Sequence, residues 1–177
     1  DYDRARYTRL KLVRIARLPP HPITLLADTD RAYIAGLIDG EGCIYCARSK
    51  HKTWYPTVNV SMTSEAVLLW LTKVTGCSKI WKHHPKTPNG ATTIRKTMYD
   101  YRIFGRNAQM LCRAMLPFLR VKHDHARVVC AFPIDARIAP GHKISQSEIN
   151  IVRKKLAAQL TALNGNMYAR KHIGSIE

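Results

Sequence analysis

Acidic residues are scarce in this 177-residue chain: 12 Asp and Glu stand against 29 Lys and Arg, a formal net charge of +17. An excess of that size repels itself unless something anionic neutralises it, and nucleic acid is the commonest such partner. An anionic membrane is the rival, but surface binding usually shows as one basic amphipathic helix. Here the positive charge runs along the whole sequence. No stretch approaches the ~20 apolar residues of a membrane span. Cysteines number five, an odd count with three inside apolar runs. That suggests free thiols in a reducing compartment, hence an intracellular setting: organelle, bacterial cytoplasm or phage-infected cell. Aromatics make up 8%, and the three tryptophans lie too far apart in sequence to suggest a base-stacking platform. No internal repeat and no Ser/His/Asp or Cys/His nucleophile set is present. Cys43 and Cys46 with His83 and His84 resemble zinc ligands only superficially, because residues three apart on a strand point to opposite faces.

What remains is an ordinary globular composition, 46% hydrophobic and 23% charged, enough for one core. The pattern predicts a basic N-terminal arm and Pro-rich linker (1–28), with Arg4, Arg6, Arg9, Lys11, Arg14 and Arg17 ahead of Pro19-Pro20-His21-Pro22. A main domain (29–135) and a C-terminal helical extension (136–177) follow. A helix is expected from Thr29, as N-cap, to Gly40. Strands are expected over 43–50 and 54–63, a helix over 64–75 stopped by Gly76, and strands over 78–84 and 92–104 flanking a loop with Pro85, Pro88, Asn89 and Gly90. Asn107 is the expected cap of a helix ending near Pro117, and a helical run covers 122–132. In the last element Ser145 and Glu148 form a capping box, with Ile149, Val152, Leu156, Leu160 and Leu163 as one stripe before Asn164-Gly165. The order predicts an α+β fold: an antiparallel sheet covered by helices on one face.

The first helix has an odd design. Ala32, Gly36 and Gly40 recur every four residues, placing small side chains along one face. Such a face packs closely, either against the protein's own core or against a second helix. Asp39 and Glu41 sit at its C-terminus, where the macrodipole is negative and each carboxylate costs ~0.5 kcal/mol. A positive group should compensate, and a bound metal ion or an Arg or Lys side chain would serve.

Residues 34–42, Ile-Ala-Gly-Leu-Ile-Asp-Gly-Glu-Gly, resemble the motif that names the LAGLIDADG homing endonucleases. A second stretch, Pro117-Phe-Leu-Arg-Val-Lys-His-Asp-His-Ala126, is similar to the family segment that carries a basic residue near the scissile phosphate; the matching position is Lys122. With the order of elements, the resemblance covers about residues 29–135. It implies the αββαββα fold with a saddle-shaped sheet, and site-specific hydrolysis of both strands of a long double-stranded DNA target by a mobile-intron nuclease. It implies Glu41 as the ligand of Mg²⁺ or Mn²⁺, with the Gly40 carbonyl beside it, and Lys122 stabilising developing charge. Only one motif is present, so the resemblance implies a homodimer through Ala32, Ala35, Gly36, Asp39 and Gly40, each subunit cutting one strand.

There are departures. Position 41 is Glu where many members carry Asp, which leaves the ligand type intact. Relatives often end the second strand with Gln to order water; here Thr63 or Ser64 has to serve. The basic residue often found at the start of the next helix is not evident, because Ala66, Val67 and Leu68 fill those turns. Base readout falls to the sheet. Thr57, Asn59 and Ser61 share one face of the second strand, Lys82 and His84 one face of the third, and Asp100 and Arg102 one face of the fourth. In the first strand Arg48 and Lys50 fall on one phase and Tyr45, Ala47 and Ser49 on the other, so placing Arg48 on the reading face needs a bulge. Lys50, Lys52 and the arm suit phosphate contacts. An intron RNA maturase, or a non-cutting DNA-binding regulator, keeps the same scaffold and charge without needing the acidic ligand.

Overall fold

Helix α1 (Asp28–Glu41) opens with Asp28 and Asp30 in its first turn, where carboxylates complement the helix dipole. Its N-cap is Ala27, not the expected Thr29, and it makes no side-chain cap; Arg31 instead ties the start down, donating to Asp28 at 3.2 Å and to the Thr24 carbonyl at 3.3 Å. The helix passes directly into a strand. A Cβ at Gly42 would lie 2.6 Å from the Ile38 carbonyl oxygen, so only glycine makes this exit. The structure is a computed structural model and describes residues 19–50, 53–77, 79–84, 96–134 and 146–173, with side chains of the last segment to residue 165. The basic arm, Lys52, the Pro85–Gly90 loop and Ser145 lie outside the described residues.

Strands β1 (Gly42–Arg48), β2 (Trp54–Met62), β3 (Ile80–His83) and β4 (Met98–Phe104) form one antiparallel sheet in the order β1-β2-β4-β3. Helix α2 (Glu65–Thr75) ends at Gly76, whose φ of +61° is the left-handed cap expected there. After β4, Gly105 (φ +57°) turns the chain into α3 (Gly105–Met115), so Asn107 lies inside the first turn rather than capping it. Helices α4 (His123–Cys130) and α5 (Gln146–Ile173) complete the fold.

All five helices contribute to one core on one side of the sheet. Ile34, Ala35 and Ile38 of α1, Leu68 and Leu71 of α2, Leu111 and Met115 of α3, and Val129 of α4 bury against Ile44, Val58, Val60, Tyr101 and Ile103 of the strands. The Tyr101 hydroxyl is paired with Thr75 Oγ1 at 3.0 Å, which satisfies both groups in the core. Two segments read as peripheral join this core. Ile23, in the Pro22–Leu25 3₁₀ turn of the linker, is fully buried, and so is Leu160 of α5. Helix α5 also runs through Asn164-Gly165 to Ile173. Its inward stripe is Ile149, Ala157 and Leu160, while Val152 is exposed, because Arg153 takes the inward turn and donates to the Pro133 carbonyl at 2.9 Å.

Candidate active site and nucleic-acid face

The C-terminal end of α1 meets the chain between α3 and α4. The Asp39 carboxylate accepts backbone N–H groups from Arg120 (2.7 Å) and Lys122 (2.9 Å). In return the Lys122 ammonium donates to the Asp39 carbonyl at 2.6 Å, and the Lys122 side chain is only 4% exposed. An ammonium on a terminal carbonyl is also the charge a helix C-terminus favours. So the compensation expected for Asp39 comes from inside the chain. Lys122 reaches further: burial pushes the Cys43 thiol up, and the Lys122 charge offsets part of that rise. It therefore acts on residues either side of Glu41. Glu41 itself ends the helix with its side chain exposed.

The far end of α4, the helix that Lys122 precedes, is fixed by a residue the sequence did not single out. Gln109 of α3, buried, donates through Nε2 to the carbonyls of Val129, Cys130 and Phe132 at 2.7–3.1 Å. These carbonyls lie at and just past the C-terminal end of α4, and the two N–H groups of one side-chain amide are shared among them. A buried Gln on an apolar helix face was the available signal. His125 is 3% exposed, and neither ring nitrogen has a hydrogen-bond partner of good geometry. Burial first, then the Lys122 charge, holds its pKa below the usual histidine value; the Asn164 amide and Asp124 oppose this. Asn164 donates to the Ile44 carbonyl at 3.1 Å, so α5 closes this side of the site.

Thr63 and Ser64 follow β2 directly and are exposed. Because Gly42 pairs with Val60, they leave the sheet at the end where Glu41 enters it. Ser64 is the N-cap position of α2 but makes no capping bond with its hydroxyl. The expected interface residues divide. Ala32, Gly36 and Gly40 are exposed, and a Cβ built on either glycine meets nothing within 4 Å, so the small face is not filled by this chain's own core. Tyr33, 51% exposed and edge-on to Trp70 at 5.3 Å, flanks it. Ala35 is fully buried on the core side and does not belong to that face, and the Asp39 carboxylate is engaged internally.

The face of the sheet away from the helices brings together half of the expected base-reading residues. Asn59, Ser61, Asp100 and Arg102 close into a ring. Asn59 Nδ2 donates to Ser61 Oγ (2.8 Å), Ser61 Oγ to Asp100 Oδ1 (2.6 Å), Arg102 Nη2 to Asp100 Oδ2 (2.6 Å) and Arg102 Nε to Asn59 Oδ1 (3.2 Å). The others are elsewhere. Register through β1 is continuous from Gly42↔Val60 to Arg48↔Trp54 with no bulge, so Arg48 shares the phase of Ile44 and lies on the helix side. There it sits over the Trp54 ring at 5.7 Å and lines a hollow of about 410 Å³ with Asn150, Ile151 and Lys154 of α5. Lys82 pairs with Tyr99 and also faces the helix side, because Ile80 is drawn inward opposite Tyr101 and fixes the phase of β3. Trp81 and His83 occupy the open face instead, with His83 Nδ1 3.6 Å from Asp100. His84 lies past the end of β3, its ring against Thr97 Oγ1 at 3.1 Å. Thr57 has the open phase but is fully buried, so its hydroxyl is closed to a base. Lys50, beyond β1, is exposed. Cys43 and Cys46 fall on opposite faces, and no group of three His, Cys, Asp or Glu able to hold a metal occurs among the described residues.

The fold has close counterparts among solved structures. The homing endonuclease I-CvuI in complex with its target in the presence of 2 mM Ca superimposes with a TM-score of 0.57, at 21% identity over 76% of this chain and 82% of that one. I-CvuI with the I-CreI target in 2 mM Mg, its DNA not cleaved, gives 0.57 at 23% identity over 77% and 82%. The archaeal intron-encoded homing endonuclease I-Vdi141I complexed with DNA gives 0.53 at 17% identity over 77% and 84%. This chain has the α+β fold of the LAGLIDADG homing endonucleases. No protein-family model matches the sequence. No curated protein matches it either.

Proposed function

We propose that this chain is a single-motif homing endonuclease that hydrolyses both strands of a long double-stranded DNA site, acting as a homodimer with Mg²⁺ or Mn²⁺. The observation that carries the reading is the arrangement at the end of α1: an exposed carboxylate, Glu41, between two residues, Asp39 and Cys43, that both feel the buried Lys122 ammonium. The uncovered Ala32–Gly36–Gly40 face supports the dimer, since a second α1 could approach there until backbones touch.

One chain offers one free carboxylate and the helix-end carbonyl of Gly40. That donor set is too small for a closed all-protein cage but fits Mg²⁺, which keeps several waters and takes one or two carboxylates with substrate phosphate. When bound, the ion supplies Lewis-acid polarisation of the phosphate and a more acidic water. The chain's own residues do the rest. Glu41 would hold the ion, whose positive charge would also offset the cost of a carboxylate at a helix C-terminus. Lys122 is held by its bond to the Asp39 carbonyl and presents positive charge to a phosphate placed beside Glu41. Thr63 or Ser64, with uncapped hydroxyls at the same end of the sheet, orients water. The Asn59–Ser61–Asp100–Arg102 ring faces the major groove, and Lys50 and the basic arm neutralise phosphates.

The test uses duplexes selected by the protein from a randomised double-stranded pool, incubated with Mg²⁺. Wild type should cut both strands, and Glu41→Gln should lose on the order of 10³-fold in rate with affinity held. Mixed wild-type and Glu41→Gln dimers should nick one strand. Selection of duplexes without any cutting would favour the regulator, and selection of structured RNA over duplex the maturase.

A further inference from the structure

The open face of the sheet has two unlike halves. Around Asp100 lies the polar ring described above. Across β2, β4 and β3 runs an aromatic row: Tyr55 stands edge-on to Phe104 (6.1 Å, 73°), and Phe104 edge-on to Trp81 (6.5 Å, 76°). Phe104 and Trp81 are each 42% exposed on a face that no described helix covers. These rings are scattered through the sequence at positions 55, 81 and 104, and only the register brings them together.

On the reading that this face lies in a major groove, we infer that Phe104 and Trp81 form a thymine-reading surface, making apolar contact with C5-methyl groups. Three observations carry it. The two exposed side chains of the row, a phenyl and an indole, are mostly carbon, and the thymine methyl is the apolar group on a base edge in the major groove. The hydroxyl nearest the row is closed off: Thr57, in register between Tyr45 and Phe104, is fully buried and its hydroxyl has no partner. Positive charge lies alongside, with the Arg102 guanidinium 5.9 Å over Trp81, in a chain of net charge +17 that suits a polyanion. Stacking of unpaired bases fits less well. That mode needs an open ring face, whereas Phe104 is braced by rings on two sides and Arg102 lies over Trp81.

The probe is a randomised double-stranded oligonucleotide pool made with thymidine, and the enriched duplexes remade with deoxyuridine, which keeps base pairing and removes only the methyl. Wild-type affinity should fall about fourfold for each contacted thymine replaced, the worth of returning one methyl to water. Phe104→Ala should enrich thymine less at those positions and become indifferent to deoxyuridine there. The wild-type arm needs no variant to fold. Enrichment of duplexes with no deoxyuridine penalty overturns the thymine surface and leaves the DNA reading standing. A penalty that survives in both Phe104→Ala and Trp81→Ala overturns the assignment to these rings. Preference for a single-stranded pool over duplex would make the row a stacking platform instead. Failure to enrich any duplex refutes the DNA reading on which the inference rests.

Discussion

The end of α1 and the open face of the sheet solve different problems. At the helix end Asp39 and Lys122 are held by backbone, while Glu41, between Asp39 and Cys43 in sequence, is exposed. Asp39 is clamped by two N–H groups and the Lys122 ammonium donates to a carbonyl, so main chain sets the position of both side chains. On the sheet the polar groups hold one another, side chain to side chain, on a common scaffold. The first arrangement fixes position, as chemistry demands. The second permits exchange of one residue for another without disturbing the fold, as changing specificity demands.

The largest effect that would sharpen this contrast is expected at Asp39. Asp39→Asn keeps one acceptor oxygen but loses the charge that strengthens both backbone bonds. Stability in urea should drop by about 2 kcal/mol, with cleavage slowed more than DNA binding is weakened. If cleavage and binding fall together, Asp39 is structural only. Comparable loss of stability on Arg102→Ala would erase the distinction between the two regions.

A smaller effect is expected from His125, buried behind Lys122. Its folded pKa is depressed below the ordinary 6.5, so the neutral form is the one the fold accepts. The unfolded chain takes up the proton first as pH falls. This contribution to stability is therefore complete above about pH 6.5 and is lost as pH falls towards the depressed folded value. His125→Gln should flatten the acid-side decline in melting temperature. An unchanged profile would show that the ring is protonated or solvated in the fold.

The smallest effect distinguishes two cations on neighbouring strands. Arg102→Ala should change which sequences are selected, whereas Lys82→Ala, on the helix side over Tyr99, should leave preference unchanged. Equal changes in both would mean that β3 turns its other face to DNA.

Much of the helix end was legible because its signals are local. The four-residue spacing of small side chains, carboxylates at the wrong helix end and a single Lys in a ten-residue segment all survive without knowledge of the fold. What could not be read was who compensates whom. Asp39 is neutralised by backbone 81 residues away in sequence at Arg120, and Glu41 is not. Ala35 sits next to Gly36, yet one is buried and the other open, a division a spacing argument blurs.

The strands show the limit more sharply. Alternation identifies a strand and its two faces, and in β2 and β4 the apolar phase Val58, Val60, Tyr101 and Ile103 leaves no doubt which goes inward. In β3 and at the end of β1 both phases carry polar or aromatic residues, so charge is the remaining guide to the open face. The structure reverses it: Ile80 and Ile44 are pulled into the core, and pairing without a bulge carries Lys82 and Arg48 to the helix side with them. The elements, the helix face built for close approach and the basic character of the molecule follow from local periodicity and composition. Only the tertiary structure decided which strand phase meets solvent and which distant side chains form the polar ring and the aromatic row, because register is set by the burial of a few residues across neighbouring strands and moves every other side chain with it.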